Sequence, residues 1–467
     1  MSRARRLKWI VAAAATTTLA GVAVSFACAT LRGDESLASD PVAVTVPVAL
    51  SSHPVPAKTM IGVMVTLGVS EVEGTAWGQP AQGAVVAAAR LDWGGTALRL
   101  VVEDDRGSER GAVNAIRRLA ERGVSGIVIA TAGPQIAAAV AAARVARVPV
   151  VLPYADLPRG DADAPGAWTF TPTAAEIGAG LRRHLAGFSH PLHIELGGEL
   201  APGLGPRETV RPVGTDLEGL AAQVAERTGA ASMPVAERRG IDAPAALPEA
   251  EPGAPRADVL VMNGPARLMG TMVATLQEKH VTSPVVLAPS ALSPQFARSV
   301  DEAGGVLSPD LQTLGAAGGD ALALKPTSEG RSMSAYLQSL RRLAEDPHGT
   351  NLTADMSFAD AAPWADSRSH DAVLALVAAV SRARSGDPIR VNQALSTLAL
   401  VAGDGIAGPP LDFSRAHASS APVRLLHVTS ESLGLRPEAG DSIVPTWFPA
   451  PARPTASSAT PNASEEG

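Results

Sequence analysis

Short apolar strands alternating with helical runs limit this chain's fold more than any other feature, and the pattern is clearest from Gly126 to Asp156. Ile127-Val128-Ile129 is a continuous apolar run, as a strand buried on both faces requires, and Pro149 to Leu152 is another. Between them Pro134 falls where a helix's first residue tolerates a missing N–H. The run 136–145 has the composition of a packed helix, and Arg144 and Arg147 suit the negative pole of its dipole. This is strand, turn, helix, strand. Its turn, Thr131-Ala132-Gly133, directs backbone N–H groups and a helix start above the sheet, which suits a carboxylate or other anion.

The same alternation runs along most of the chain. A strand is expected over 60–65, a helix over 80–92, a strand over 98–102 ending in Glu103-Asp104-Asp105, and a helix over 109–122 capped by Ser108. A Pro- and Gly-rich connection over 157–167 then leads to a helix over 174–186 and a second set. That set has strands at 193–196, 258–262 and 284–288 with helices at 217–227 and 267–280. Helices over 333–344, 370–384 and 391–398 and a strand over 423–428 follow. Two α/β lobes with doubly wound parallel sheets are the economical topology. At 467 residues the chain also exceeds what one core supports. Lobe 1 is expected over 58–172, with 295–330 or later segments returning to it. Lobe 2 takes most of 173–435, with its C-terminal segments crossing back. Residues 229–256 read as a loose insertion, and 436–467, rich in Pro, Ser and Thr, as a disordered tail.

The N-terminus has the form of an export signal. Arg3, Arg5, Arg6 and Lys8 precede an apolar stretch from Trp9 to Ala27, and Cys28 follows. Residues 1–28 therefore form a lipoprotein signal lipidated at Cys28, an uncleaved membrane anchor, or a signal for secretion. Residues 29–57 are a flexible tether. The expected location is the cell envelope, on the outer face of the cytoplasmic membrane.

Several functions are disfavoured. A net charge of −7 gives no basic footprint, so no nucleic-acid partner is expected. With 3% aromatic residues there are few rings for stacking sugars. Cys28 is the sole cysteine, which excludes an intrachain disulfide or a cysteine metal cage. No Gly-x-Ser-x-Gly elbow follows a strand and no Gly-x-Gly-x-x-Gly follows the first one, so neither an enzyme nor a cofactor is expected. Glu103-Asp104-Asp105 reads as a solvated strand end in preference to a metal cluster.

Ile61-Gly62-Val63 opening the sheet, Val101-Val-Glu-Asp-Asp105, Gly123-Val-Ser-Gly-Ile-Val and Val148-Pro149-Val150 together resemble the type I periplasmic-binding fold. His370-Asp371-Ala372-Val373, Gly405-Ile-Ala-Gly408-Pro and Asp412-Phe413 are similar in order and spacing to its branched-chain amino acid (Leu/Ile/Val) branch. The resemblance covers roughly 58–435. It implies two Rossmann-like lobes joined by crossing strands, closing on a small ligand that is delivered to an ABC importer.

It also implies that the ligand's carboxylate lies at the Thr131-Ala132-Gly133 turn. The family's Ser position falls on Gly133 and its Thr position on Asp156, so Gly133 offers only its N–H while Asp156 suits a ligand ammonium. Tyr154 and Asp156 follow a strand's carboxyl end, where open α/β sheets bind ligands. Trp77 is either an apolar cleft wall or a core anchor. Asn263 and Ser290 are the matching strand ends of lobe 2, as ligand contacts or helix caps. A small amino-acid-like or amide ligand is expected, with ABC permease subunits as partners. The alternative is a ligand-sensing or degenerate envelope lipoprotein of the same fold, partnered by a membrane sensor.

Overall fold

The computed structural model of the chain describes residues 47–449 apart from 52, 69–72, 159–164, 198–207, 231–255, 439 and 441–443. The N-terminal segment with Cys28 and most of the 229–256 insertion lie outside the described residues. No helix among those described is long and apolar enough to cross a membrane.

Two separate sheets, the first all parallel and the second mixed, account for the two alternating sets. The first takes β1 (Met60–Val65), β2 (Arg99–Asp104), β3 (Ile127–Ile129), β4 (Val150–Leu152) and β5 (Ala167–Thr169) in the order β2-β1-β3-β4-β5. Every pair in it is parallel. Helices Glu109–Glu121 and Ile136–Ala146 cover one face through Ile116, Leu119, Ala139 and Val140. The other face carries helices Gly83–Trp93 and Ser367–Ala383, through residues such as Ala84, Leu91, Val373 and Leu376.

The second sheet takes β6 (Pro191–Glu195), β7 (Thr209–Val210), β8 (Val259–Asn263), β9 (Val285–Leu287) and β10 (Leu311–Ala316). Between it and the final strands, β11 (Ala399–Leu400) and β12 (Leu411–Asp412) form a small antiparallel pair within the first lobe. The second sheet is completed by β13 (Val423–Thr429) and β14 (Thr446–Pro449), giving the order β14-β13-β10-β9-β8-β6-β7. β13 runs antiparallel to β10, and β14 antiparallel to β13.

The lobes are joined where the chain crosses between sheets. From Thr169 in β5 it passes to helix Ala174–Leu185, whose start is fixed by Thr173 and Glu176 capping each other. It returns after Ala316 and crosses again before Val423. Ala317 donates to the carbonyl of Pro422 at 3.4 Å, and Thr169 is bracketed by Ala416 and Ala418 at 2.8 Å each. The expected return of 295–330 to the first lobe and the assignment of most of 173–435 to the second need correction: helix Pro294–Glu302 and β10 stay with the second lobe because β10 pairs with β9, and it is 328–418 that pack on the first lobe, with Met333 and Tyr336 against Val86.

Three local expectations need correction. Pro134 is not the first helical residue: Pro134 and Gln135 form a turn in which Ile136 donates to Gly133, and the helix begins at Ile136. Glu103 and Asp105 are buried, not solvated, because Arg118 and Arg122 close over Glu103 while Asp105 takes hydrogen bonds from inside. Among the described residues no acidic cluster has the geometry of a metal site. The tail expected from 436 holds β14, because Trp447 and Phe448 give it rings to pack on Phe296 and His427.

The His370-Asp371 and Gly405–Gly408 motifs meet in one buried network. Asp371 accepts the N–H groups of Ala407 and Gly408 at 2.8 and 2.7 Å and the Nδ1–H of His370 at 2.7 Å. Arg90, 2% exposed, donates to Nε2 of His370 at 2.9 Å and to the carbonyls of Val48 and Gly405. An arginine can only donate, so Nε2 is the unprotonated nitrogen. Burial lowers the Arg90 pKa to about 10, partly offset by Asp371. Burial also holds the His370 pKa below the ordinary 6.5 despite its bond to Asp371, and the charge of Arg90 adds to the effect.

The unfolded chain therefore takes up a proton near pH 6.5 that the folded chain refuses, so this stability is complete above 6.5 and is lost as pH falls below it. His370→Gln should lower the melting temperature at pH 7.5 but flatten its decline towards pH 5.5. A decline as steep as that of the wild type in differential scanning calorimetry would refute this role for His370.

Candidate functional site

In the first sheet, strand order reverses between β1 and β3, so the loops leaving their carboxyl ends diverge and open a crevice. Thr66 follows β1, Asp105 follows β2 and Thr131 follows β3. The hydroxyl of Thr66 donates to Oδ1 of Asp105 at 2.7 Å, and Gln135 Nε2 donates to Oδ2 at 3.2 Å. With its proton committed to Asp105, Thr66 accepts from the hydroxyl of Thr131 at 2.6 Å. Burial raises the Asp105 pKa above the usual carboxylate range, against the pull of these hydrogen bonds. The Thr131 side chain is fully buried in this network, off the cavity wall, while Ala132 and Gly133 line the cavity.

Gly133 has φ +130°, a conformation that side-chain-bearing residues rarely adopt. A Cβ there would also approach Gln135 Oε1 to 2.5 Å. A serine at this position, as the family resemblance implies, would hold a strained backbone and require Gln135 to shift.

Beside the turn stands an aromatic wall. Trp77 and Tyr154 stack with centroids 4.4 Å apart, and the hydroxyl of Tyr154 is hydrogen-bonded to Ser369. Burial pushes the Tyr154 phenol pKa well up. Trp77 is both core and wall, at 5% exposure. The guanidinium carbon of Arg368 lies 4.8 Å from the Tyr154 ring centroid and 5.4 Å from that of Trp77. Its Nη2 pairs with Asp366 at 2.7 Å. Burial acts to raise the Asp366 pKa, yet Arg368 holds it below the usual value, and the pair correspondingly raises that of Arg368 against its own burial. Two positions after Tyr154, Asp156 uses Oδ1 for the N–H of Leu157 at 2.8 Å and the hydroxyl of Thr171 at 3.4 Å. Its side chain is 52% exposed.

Across the gap, the second sheet presents its own strand ends. Asn263 accepts from His193 Nε2 at 2.6 Å and donates to the carbonyl of Gly197, so its side chain orients strand ends and caps no helix. Ser290 donates to the carbonyl of Gly264 at 2.8 Å, and the following helix, Pro294–Glu302, is capped by Ser293. The lobes also touch directly, where Arg298 donates to Gln79 at 3.2 Å. Between them lies a cavity of about 1130 Å³. Its wall includes Trp77, Ala132, Gly133, Tyr154, Asp156, Asn263 and Ser290, and so brings together the residues singled out in the sequence apart from Thr131.

Sequence reasoning missed Asp366, Arg368, Asp320 and Arg436, which also line the cavity. Arg368 lies just before the His370-Asp371 motif but has no signal of its own; only the stack on Tyr154 reveals it. Arg436 pairs with Asp320 and donates to the carbonyls of Pro363 and Ala365, from a stretch whose composition reads as tail.

No protein-family model matches the chain, and no curated protein matches it. Solved structures do. A periplasmic binding protein type 1 from Bordetella pertussis Tohama I aligns at 15% identity and TM-score 0.55, over 84% of this chain and 100% of that one. The leucine binding protein LivK of Thermotoga maritima MSB8 aligns at 16% and 0.54, over 80% and 96%. LivJ of Streptococcus pneumoniae, a branched-chain amino acid transporter substrate binding protein in complex with isoleucine, aligns at 16% and 0.52, over the same shares. The chain has the type I periplasmic-binding fold, and at these identities the likeness is one of fold.

Replacing Thr131 with valine keeps the shape and removes one buried donor. It should cost about 1–2 kcal/mol in denaturant unfolding, because Thr66 would lose the donor at 2.6 Å while keeping its bonds to Asp105 and Gln135. An unchanged midpoint would show that the hydroxyl network does not hold the turn.

Proposed function

We propose that this protein is an extracytoplasmic solute-binding protein of an ABC-type importer, closing its lobes on a small amino-acid-like ligand. The supporting observation is the interlobe cavity, which lies at the carboxyl ends of both parallel sheets and has Asp156 half-exposed on its wall. The solved structures that share the fold include proteins named for leucine and isoleucine binding, which favours a ligand of that class. In this reading the ligand's ammonium pairs with Asp156, while Tyr154 and Trp77 give an apolar wall and Ala132, Gly133, Asn263 and Ser290 contribute polar edges. Closure is favoured by contacts available only when the lobes meet, and the closed form docks on a permease. Export follows from residues 1–28, with Cys28 as the lipid-bearing residue of the tether; mass spectrometry of the mature N-terminus reads this directly.

A thermal-shift screen over amino acids, their amides and short peptides tests the reading. A ligand at 100 times its dissociation constant should stabilise the protein by about 2.7 kcal/mol, and Asp156→Ala should abolish the shift for amine-bearing ligands. If nothing in the library raises the melting temperature, transport gives way to the sensor or scaffold alternative.

A further inference from the structure

We infer that Arg368 anchors the anionic end of the ligand and takes over the role that the turn at Gly133 cannot fill. The inference rests on the reading of the cavity as a ligand site. Two guanidinium groups line that cavity. Arg436 is fully engaged: Nε and Nη2 hold Asp320, and Nη1 donates to the carbonyls of Pro363 and Ala365. It is a strut between chain segments.

Arg368 differs in the one respect that matters. Its Nε and Nη2 form a side-on fork to Asp366, and Nη1 has no acceptor among the described residues. Its side chain remains 34% exposed. Stacking on Tyr154 and the fork to Asp366 fix the plane of the group, so little side-chain freedom is lost when an anion arrives. Asp366 does not cancel this donor, because it occupies the Nε–Nη2 edge of the guanidinium and leaves Nη1, on a residue of the cavity wall, without an acceptor among the described residues. A carboxylate at that edge forms a charge-assisted hydrogen bond, stronger than a lone backbone N–H in the turn supplies.

Asp156 makes the complement. Its Oδ2 has no partner among the described residues, and it follows Tyr154 by two positions. A zwitterion laid along the Tyr154 wall meets Arg368 with its carboxylate and Asp156 with its ammonium.

The test compares the full chain with Arg368→Gln and with the double variant Asp366→Asn/Arg368→Gln, in which no carboxylate is stranded. The probes are the twenty common L-amino acids and their C-terminal amides, followed by calorimetric titration and thermal shift. The wild type should prefer a free acid to its amide by roughly tenfold or more. Both variants should lose that preference, the affinity for the free acid falling to about that for its amide. A preference that persists in a folded variant, or a wild type that binds acid and amide alike, overturns the anchor and leaves the cavity reading intact. A wild type that binds none of the probes overturns both.

Discussion

A parallel sheet has to be covered on both faces, because its strands are apolar on both, and the first lobe cannot meet this requirement from its own consecutive chain. The helices Glu109–Glu121 and Ile136–Ala146 go to one face. Helix Gly83–Trp93 covers only part of the other. The remaining cover is helix Ser367–Ala383, which sits so close to β3 that a side chain at Gly126 would collide with Leu376. The chain therefore builds most of the second lobe and then returns. Burial of one sheet face thus dictates the crossings, the crossings make a hinge, and the gap beside the hinge is the cavity. At about 25 cal/mol per Å² of apolar surface, the run of fully buried positions along that helix, Ala372 to Val377 among them, supplies the driving force for the return.

The same topology decides where polar groups can face a ligand. Loops diverge at the β1/β3 reversal, and the resulting space is filled from below by the Asp105 network and walled from the side by Trp77 and Tyr154. Because Thr131 turns its hydroxyl inward, the turn keeps its shape but gives the cavity only Ala132 and Gly133. Rigidity below and lack of side-chain chemistry above come from one arrangement. Charge on the wall is supplied instead by residues from distant stretches, among them Asp156 after β4, Asp366-Ser-Arg368 at the start of the returning helix, and the Asp320–Arg436 pair.

Much of this was readable before any coordinates. Apolar runs such as Ile127–Ile129 mark the buried strands because β strands at the centre of a parallel sheet tolerate nothing else. Carboxyl ends of those strands mark the cavity, which is why Tyr154 and Asp156 could be named from position, and Asn263 from the family resemblance as the matching strand end of the second lobe. What sequence could not reveal depends on contacts across long separations. Asp105 looks like a solvated carboxylate until Thr66 and Gln135 are brought to it. Arg368 is one arginine among many until the hinge lays it over Tyr154, more than two hundred positions earlier. β14 hides in a Pro- and Ser-rich stretch because its stability comes from pairing with β13 and from two rings, not from its own pattern.

That final stretch also bears on how the lobes can move. After β13 the chain leaves the second sheet, and Arg436 grips Asp320, Pro363 and Ala365 while the carbonyl of Gly434 accepts from Arg341 on the helix packed against the first lobe. It then rejoins the second sheet as β14. Residues 430–438 so connect both lobes beside the three crossings, and their side chains form part of the cavity wall. A motion that opens the cleft must keep the Arg436 cluster together or break several part-buried charge-assisted hydrogen bonds at once, which costs more than parting the single hydrogen bond of Arg298 with Gln79. Opening is therefore expected to pivot on the hinge and the Arg436 strut together, with the Arg298 side of the cleft moving most.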